Sequence, residues 1–245
     1  MLSYQHTFHA GCMADVHKHT LLIRALRAEK TNRKPLNFID THAGRGVYDL
    51  SSEQAQKTGE AAHGILSLLE QESETLAPLK AMLGKTKENQ YPGSAKIMQL
   101  LSGKEDTFHF FELHSTEFKE LKNRFNLDDR IKLHHDDGFD MAYDNLYKKR
   151  KNFVFIDPSY EIKVDYEDVV LMINELLDIA PDAIIMLWVP HLPKGYHKPL
   201  MEKLKADERA TLSTFRFTPM NDRAMYASSV AVWNAPEGAD LEFNL

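Results

Sequence analysis

The chain reads as an α/β protein built on one mainly parallel sheet, and three observations carry that reading. Helical and strand-like patterns alternate along most of its 245 residues. The run Phe153–Ile156 is continuously apolar, as a strand buried on both faces is. That run ends in Asp157-Pro158-Ser159-Tyr160, placing polar groups where open α/β sheets hold ligands.

Taken in order, residues 13–30 carry Val16, Leu22, Ile23 and Leu26 at helical spacing. A short strand over 35–40 leads into the small-residue turn THAGRG. Residues 51–101 then separate this strand from the next by far more than one crossover helix requires. Two stretches there, GEAAHGILSLLEQ and SAKIMQLLS, read as helices. A helical insertion is therefore expected over 51–93. Further strands are predicted at 107–113, 130–138, 152–156 and 182–190, with helices at 116–126, 139–150, 166–180 and 195–206. The segments 212–218 and 225–234 form a terminal hairpin-like pair. One domain, 1–245, is expected, with an amino-terminal lid and helix over 1–34.

Composition bounds the function. The hydrophobic and charged fractions, 43% and 27%, are those of an ordinary globular protein. The single cysteine, Cys12, excludes an internal disulfide, and no secretory signal pattern opens the sequence. A cytoplasmic protein is expected, and no apolar run is long enough to cross a membrane. The net charge of −6 gives no global attraction to a polyanion, yet residues 1–34 carry six Lys/Arg against Asp15 and Glu29. That local excess, and the run Lys148 to Lys151, can meet phosphates. On charge alone, solvated helix ends are the better explanation.

Four strand ends carry chemistry. In FIDTHAGRG (38–46) an acid, Asp40, precedes Ala43, Gly44 and Gly46. Small residues let the backbone turn sharply and approach a ligand. The glycine spacing falls short of a dinucleotide fingerprint, leaving other adenosine cofactors open. Glu112 ends the second sheet strand, where a carboxylate can hold two ribose hydroxyls. Asp136 and Asp137 precede Gly138 at the end of the third; a carboxylate here can accept from an adenine amine, with Phe139 lining the ring, or can cap a helix. The fourth strand ends in Asp157. Singly, each is also an ordinary strand end. Together and in this order they form the layout of S-adenosylmethionine-dependent amino methyltransferases.

That layout gives the Asp-Pro-Ser-Tyr tip a purpose. An exocyclic adenine amine is a poor nucleophile because its lone pair is delocalised. Two acceptors, the Asp157 carboxylate and the Pro158 carbonyl, can bond both N–H protons while a sulfonium methyl arrives from the far side. Tyr160 is expected to stack on the extruded base. No metal is required, and the histidines His6, His9, His17, His19 and His42 match no common ligand spacing. His17 is read as exposed, Trp188 and Trp233 as core.

The opening MLSYQHTFHAGCMADVHKHT resembles that of the RlmJ family, bacterial 23S ribosomal RNA adenine-N6 methyltransferases. The resemblance continues through DTHAGRGVYDL, TGE (58–60), YPGS (91–94), ELH (112–114), DGF (137–139) and IDPSYE (156–161). It implies a Rossmann-like methyltransferase fold of class I, with a seven-stranded sheet and a small helical subdomain. It implies S-adenosylmethionine as cofactor, 23S ribosomal RNA as partner, and a monomer. By the same resemblance His19, His42, Gly44, Ser94, Glu112, Asp137, Gly138 and Asp157 line the cofactor pocket. Asp157, Pro158 and Tyr160 carry catalysis, and Tyr4, His6, His9 and Lys18 close over the site or stabilise the target. The family pattern is Asp-Pro-Pro-Tyr; here Ser159 takes the third place and frees a donor N–H. The basic amino-terminal helix is expected to hold RNA backbone. Alternatives are the same chemistry on DNA adenine, guanine N2 or a protein glutamine, or a non-catalytic module that binds cofactor and RNA.

Overall fold

A computed structural model describes residues 4–31 and 34–245. Helix α1 (Met13–Lys30) leads into strand β1 (Leu36–Asp40), and β2 (Val47–Asp49) follows the glycine turn. Three short helices, α2 (Glu53–Thr58), α3 (Glu60–His63) and α4 (Ala77–Leu83), precede β3 (Gln90–Pro92) and α5 (Ser94–Leu101). Strand and helix then alternate through β4 (Thr107–Phe111), α6 (Ser115–Phe125), β5 (Ile131–His134), α7 (Gly138–Met141) and β6 (Lys151–Ile156). The chain ends through α8 (Asp165–Ile179), β7 (Ile184–His191), α9 (Lys198–Ala206), β8 (Ala210–Arg216) and β9 (Ala227–Trp233).

Seven strands form one sheet in the order β5-β4-β1-β6-β7-β9-β8, with β9 antiparallel to both its neighbours and the other pairs parallel. This is the Rossmann-like sheet of class I methyltransferases. A separate antiparallel pair, β2 with β3, was not evident in the sequence. The two-sided burial expected of the central strands is present: β1 and β7 are buried throughout. Register across the centre is held by apolar and polar means together. Phe38 of β1 lies opposite Phe108 and Phe153, with the Phe38 and Phe108 rings stacked 5.0 Å apart. Below them, Asn37 donates to Asn152 at 3.0 Å and accepts from Thr107 at 3.0 Å. A slip by one residue would strand these buried amides without partners.

Three expectations change. The helix read over 139–150 is only α7 and a 3-10 turn at Tyr143–Asn145. Asn152 ends it: its side chain accepts from the Tyr147 N–H at 2.9 Å and donates to the Tyr147 carbonyl at 3.1 Å, so the chain is drawn straight into β6. The stretch 59–71 breaks at Gly64, where a Cβ would collide with the Gly11 carbonyl; Ile65 N–H then donates to that carbonyl at 2.8 Å. His17, read as exposed, is fully buried and bonded to Ser213 and Ser228.

Helix α1 also departs from the expected RNA-holding role. It packs against α4, α5 and β9, and its cations are committed internally. Lys18 is buried, Arg24 binds Asp240 and the Glu242 carbonyl, and Lys30 pairs with Asp106. Of its cationic side chains only Arg27 is exposed; Arg33 lies outside the described residues.

Candidate active site

The sheet order reverses direction at β1, which has β4 on one side and β6 on the other. Ligands of open α/β sheets bind beyond the strand ends at such a point. The chain leaving β1 is tied to both neighbours: Thr41 N–H donates to the Phe155 carbonyl at 3.1 Å, and Ala43 N–H to the Phe111 carbonyl at 2.8 Å. A cavity opens above this turn.

Its lining includes His19, His42, Gly44, Ser94, Glu112, Asp137, Gly138, Asp157 and Pro158, together with Tyr4, His6 and Lys18. Thus segments far apart in sequence bring all the expected site residues but His9 and Tyr160 to one place. The Glu112 carboxylate accepts from Gly44 N–H at 2.9 Å and His114 N–H at 2.7 Å. Burial still raises its pKa to about 7, against those two bonds. Asp137 caps α7 by accepting from Phe139 N–H at 2.9 Å, so its helix-cap and cavity-lining readings both hold. A Cβ on Gly138 would collide with the Thr41 carbonyl, which is why only glycine lets α7 start against the β1 turn. Burial lowers His19 and His42 to about 3, so both are neutral; His19 Nδ1 lies 2.8 Å from the Tyr91 hydroxyl and His42 Nδ1 2.7 Å from Thr41 Oγ1.

Lys18 Nζ lies 2.6 Å from Asp157 Oδ2 and 3.0 Å from Asp15 Oδ1. Burial opposes its charge, but the two carboxylates outweigh burial and raise it above the usual lysine value. His6 Nε2 donates to Asp15 Oδ2 at 2.9 Å, and His6 Nδ1 lies 2.8 Å from the Tyr4 hydroxyl. His9 is instead bonded to Glu60 at 2.6 Å and lines a second, adjoining cavity.

Tyr160 is the other exception. It does not line either cavity; its hydroxyl donates to the Trp188 carbonyl at 2.7 Å and its ring packs 4.5 Å from that of Tyr166. A left-handed backbone at Tyr160, φ 55°, turns the ring inward, so the base-stacking role expected of it is not available in this arrangement. Tyr4 and Trp188 border both cavities; Trp188 is also a core residue, 7% exposed, as the sequence reading had it. Tyr48, Phe139, Glu117 and Asp165 also line the first cavity. Among these, only Phe139 carried a signal in the sequence, by following the Asp-Gly strand end. Tyr48 sits on the unforeseen β2.

Five carboxylates, Glu112, Glu117, Asp137, Asp157 and Asp165, line the first cavity against one lysine. Glu117 is neutralised by a two-pronged pair with Arg45 at 2.5 and 2.8 Å. The remaining balance suits a cationic ligand with hydroxyl groups. Among the described residues no cluster of three or more His, Cys, Asp or Glu side chains has metal-site geometry, and no helix is long and apolar enough to cross a membrane.

Comparison with known proteins identifies the family. The profile of the family described as "Ribosomal RNA large subunit methyltransferase D, RlmJ" matches residues 33–244. "Ribosomal RNA large subunit methyltransferase J" of Escherichia coli is 34% identical, over 100% of this chain and 91% of its own. The Haemophilus influenzae protein of the same name is 35% identical, over 96% of this chain and 88% of its own. A crystal structure of a Legionella pneumophila protein superposes with a TM-score of 0.84 at 25% identity, covering 93% of this chain and 87% of that one. With the sheet order, the acid-lined cavity at its switch point and full-length similarity all in agreement, the chain belongs to the RlmJ family of ribosomal RNA large subunit methyltransferases and is an enzyme of the methyl-transferring class.

Proposed function

We propose that the protein methylates N6 of a single adenine in 23S ribosomal RNA, with S-adenosylmethionine as methyl donor. The observation that carries this reading is the meeting of Asp157 and Pro158 with Glu112 and Asp137 around one cavity. The relatives named ribosomal RNA large subunit methyltransferase supply the substrate class.

The residues present fit the cofactor. Glu112, its carboxyl poised near neutrality, accepts from the ribose hydroxyls. Asp137 accepts from the adenine amine, with Phe139 against the ring. His19, His42, Gly44, Ser94 and Gly138 complete the wall. When bound, S-adenosylmethionine supplies an electrophilic methyl group on a sulfonium centre. The chain's own work is on the acceptor. Asp157 and the Pro158 carbonyl accept the two amine protons, favouring a pyramidal nitrogen whose lone pair points at the methyl carbon. Asp157 takes the proton that leaves that nitrogen, and Lys18 steadies the carboxylate. Tyr4 and His6 cover the cavity and exclude water. Ser159 Oγ accepts from Glu161 N–H at 3.4 Å, a side-chain turn that takes the place of the family proline's rigidity.

The test is transfer of tritium from labelled S-adenosylmethionine to unmodified 23S ribosomal RNA. Wild type labels one adenine, and Asp157→Ala lowers the rate by about a thousandfold. Full rate in the alanine variant, or label on guanine, DNA or protein glutamine instead, overturns the reading. Cofactor binding with no transfer to any acceptor identifies a binding module.

A further inference from the structure

We propose that Asp15 is a positioning residue that holds the Lys18 ammonium on Asp157 and locks the amino-terminal segment to the same point. The inference rests on the reading that Asp157 receives the acceptor amine. Asp15 is 0% exposed and does not itself line the first cavity. Its Oδ2 accepts from Gly11 N–H at 2.8 Å and from His6 Nε2 at 2.9 Å, while Oδ1 lies 3.0 Å from Lys18 Nζ. One carboxylate thus gathers the segment before α1, the first turn of α1 and, through Lys18, the tip of β6.

Stability alone is a poor reason for such a group, because buried ion pairs are replaceable by apolar packing at little cost. The geometry gives a better one. Asp15 and Lys18 stand one turn apart on the same helix face. An ammonium shared between two carboxylates fully neutralises neither, so Asp157 keeps charge with which to accept from an amine. When a substrate nitrogen takes a place at Asp157, Lys18 remains anchored by Asp15. The lysine is held from above by the Trp188 ring, 4.8 Å from Nζ to its centroid.

The charged and titratable groups facing Lys18 are Asp15, Cys12 and His19 from its own helix and its cap, Asp157 from β6 and Asp40 from β1. His6 and His9 approach from the amino-terminal segment. Of these only Asp15 and Asp157 touch its nitrogen. Removing the Asp15 charge therefore lets Lys18 lose its proton at lower pH.

The experiment compares wild type, Asp15→Asn and Asp15→Glu in methyl transfer to 23S ribosomal RNA across pH. Asp15→Asn is expected to lower kcat by about a hundredfold with little change in KM. Its basic limb moves to lower pH, and Asp15→Glu recovers part of the rate. A wild-type kcat and pH profile in Asp15→Asn, or a loss confined to KM, overturns the inference and leaves the proposed function intact. If wild type transfers no methyl to RNA, the proposed function falls. The inference is then read from nitrogen NMR of the lysine ammonium: Lys18 titrates lower in Asp15→Asn, and an unchanged titration refutes it. If Asp15→Asn does not fold, Asp157→Asn is titrated instead. Lys18 above the ordinary lysine value supports Asp15 as its second anchor, and a value at or below it refutes the role.

Discussion

The Tyr160 hydroxyl donates to the Trp188 carbonyl at 2.7 Å, so the one aromatic of the Asp-Pro-Ser-Tyr tip is held in the core, tied to the backbone of a β7 tryptophan whose ring borders both cavities. The bond also clamps the end of β6 to β7, beyond their paired residues. Tyr160→Phe is expected to cost about 1 kcal/mol, the usual net value of one hydrogen bond. Thermal unfolding checks it, and an unchanged midpoint would mean that the inward ring is held by packing alone.

Trp188 is expected to carry the stacking contact with the extruded base. Base–aromatic stacking is worth about 1–3 kcal/mol, so Trp188→Ala should raise the KM for RNA by about tenfold or more. Trp188→Phe should keep most of the affinity. Steady-state kinetics on a short RNA substrate decides it, and an unchanged KM in the alanine variant removes Trp188 from the acceptor site.

Gly138 sets how closely α7 approaches the β1 turn. Gly138→Ala drives a Cβ into the Thr41 carbonyl, so the turn and the helix must part. Overpacking of this kind costs about 1–3 kcal/mol. Calorimetry with S-adenosylmethionine should show weakened binding together with the lost stability. Unaltered affinity in a destabilised protein would separate the glycine from the cofactor site.

His17 gives a stability effect remote from the cavity. Burial lowers it to about 3, while the unfolded chain keeps the ordinary value near 6.5. Between those values the unfolded state binds the proton and the folded state does not, so its contribution is present above pH 6.5 and declines as pH falls. At pH 5 the loss from this one group is about 2 kcal/mol. Asp40 and Glu112, both raised to about 7 by burial, act with the opposite sign: their protonated folded forms lose stability as pH rises towards 7. The comparison is therefore made between proteins: urea midpoints of His17→Gln should fall less from pH 7.5 to pH 5 than those of wild type. Equal slopes would place the acid sensitivity at other groups, such as His19 and His42.

Much of the fold was legible in the residue order because burial on both faces leaves continuous apolar runs. Phe153–Ile156 and Ile184–Val189 are such runs, and each lies in a central strand. The acids at strand ends were legible for a related reason: Glu112, Asp137 and Asp157 stand where hydrophobic runs stop, and parallel topology carries those stops to one rim. Local pattern failed where a specific side-chain bond or the tertiary packing decided the outcome. The 139–150 stretch has helical spacing, but Asn152 side-chain bonds to Tyr147 cut it short. His17 and Lys18 are polar and adjacent, yet α1 lies in the core, where one meets Ser213 and Ser228 and the other meets Asp157. Sequence by itself determined the order of the elements and which residue types reach the sheet's rim, because periodicity and strand termination are local properties. Which aromatic faces the cavity, and which carboxylates share the lysine, only the tertiary structure decided. Asp15 stands a helical turn from Lys18, but Asp157 reaches it from 139 positions away and Tyr160 is turned inward by a left-handed backbone, and no local pattern encodes either.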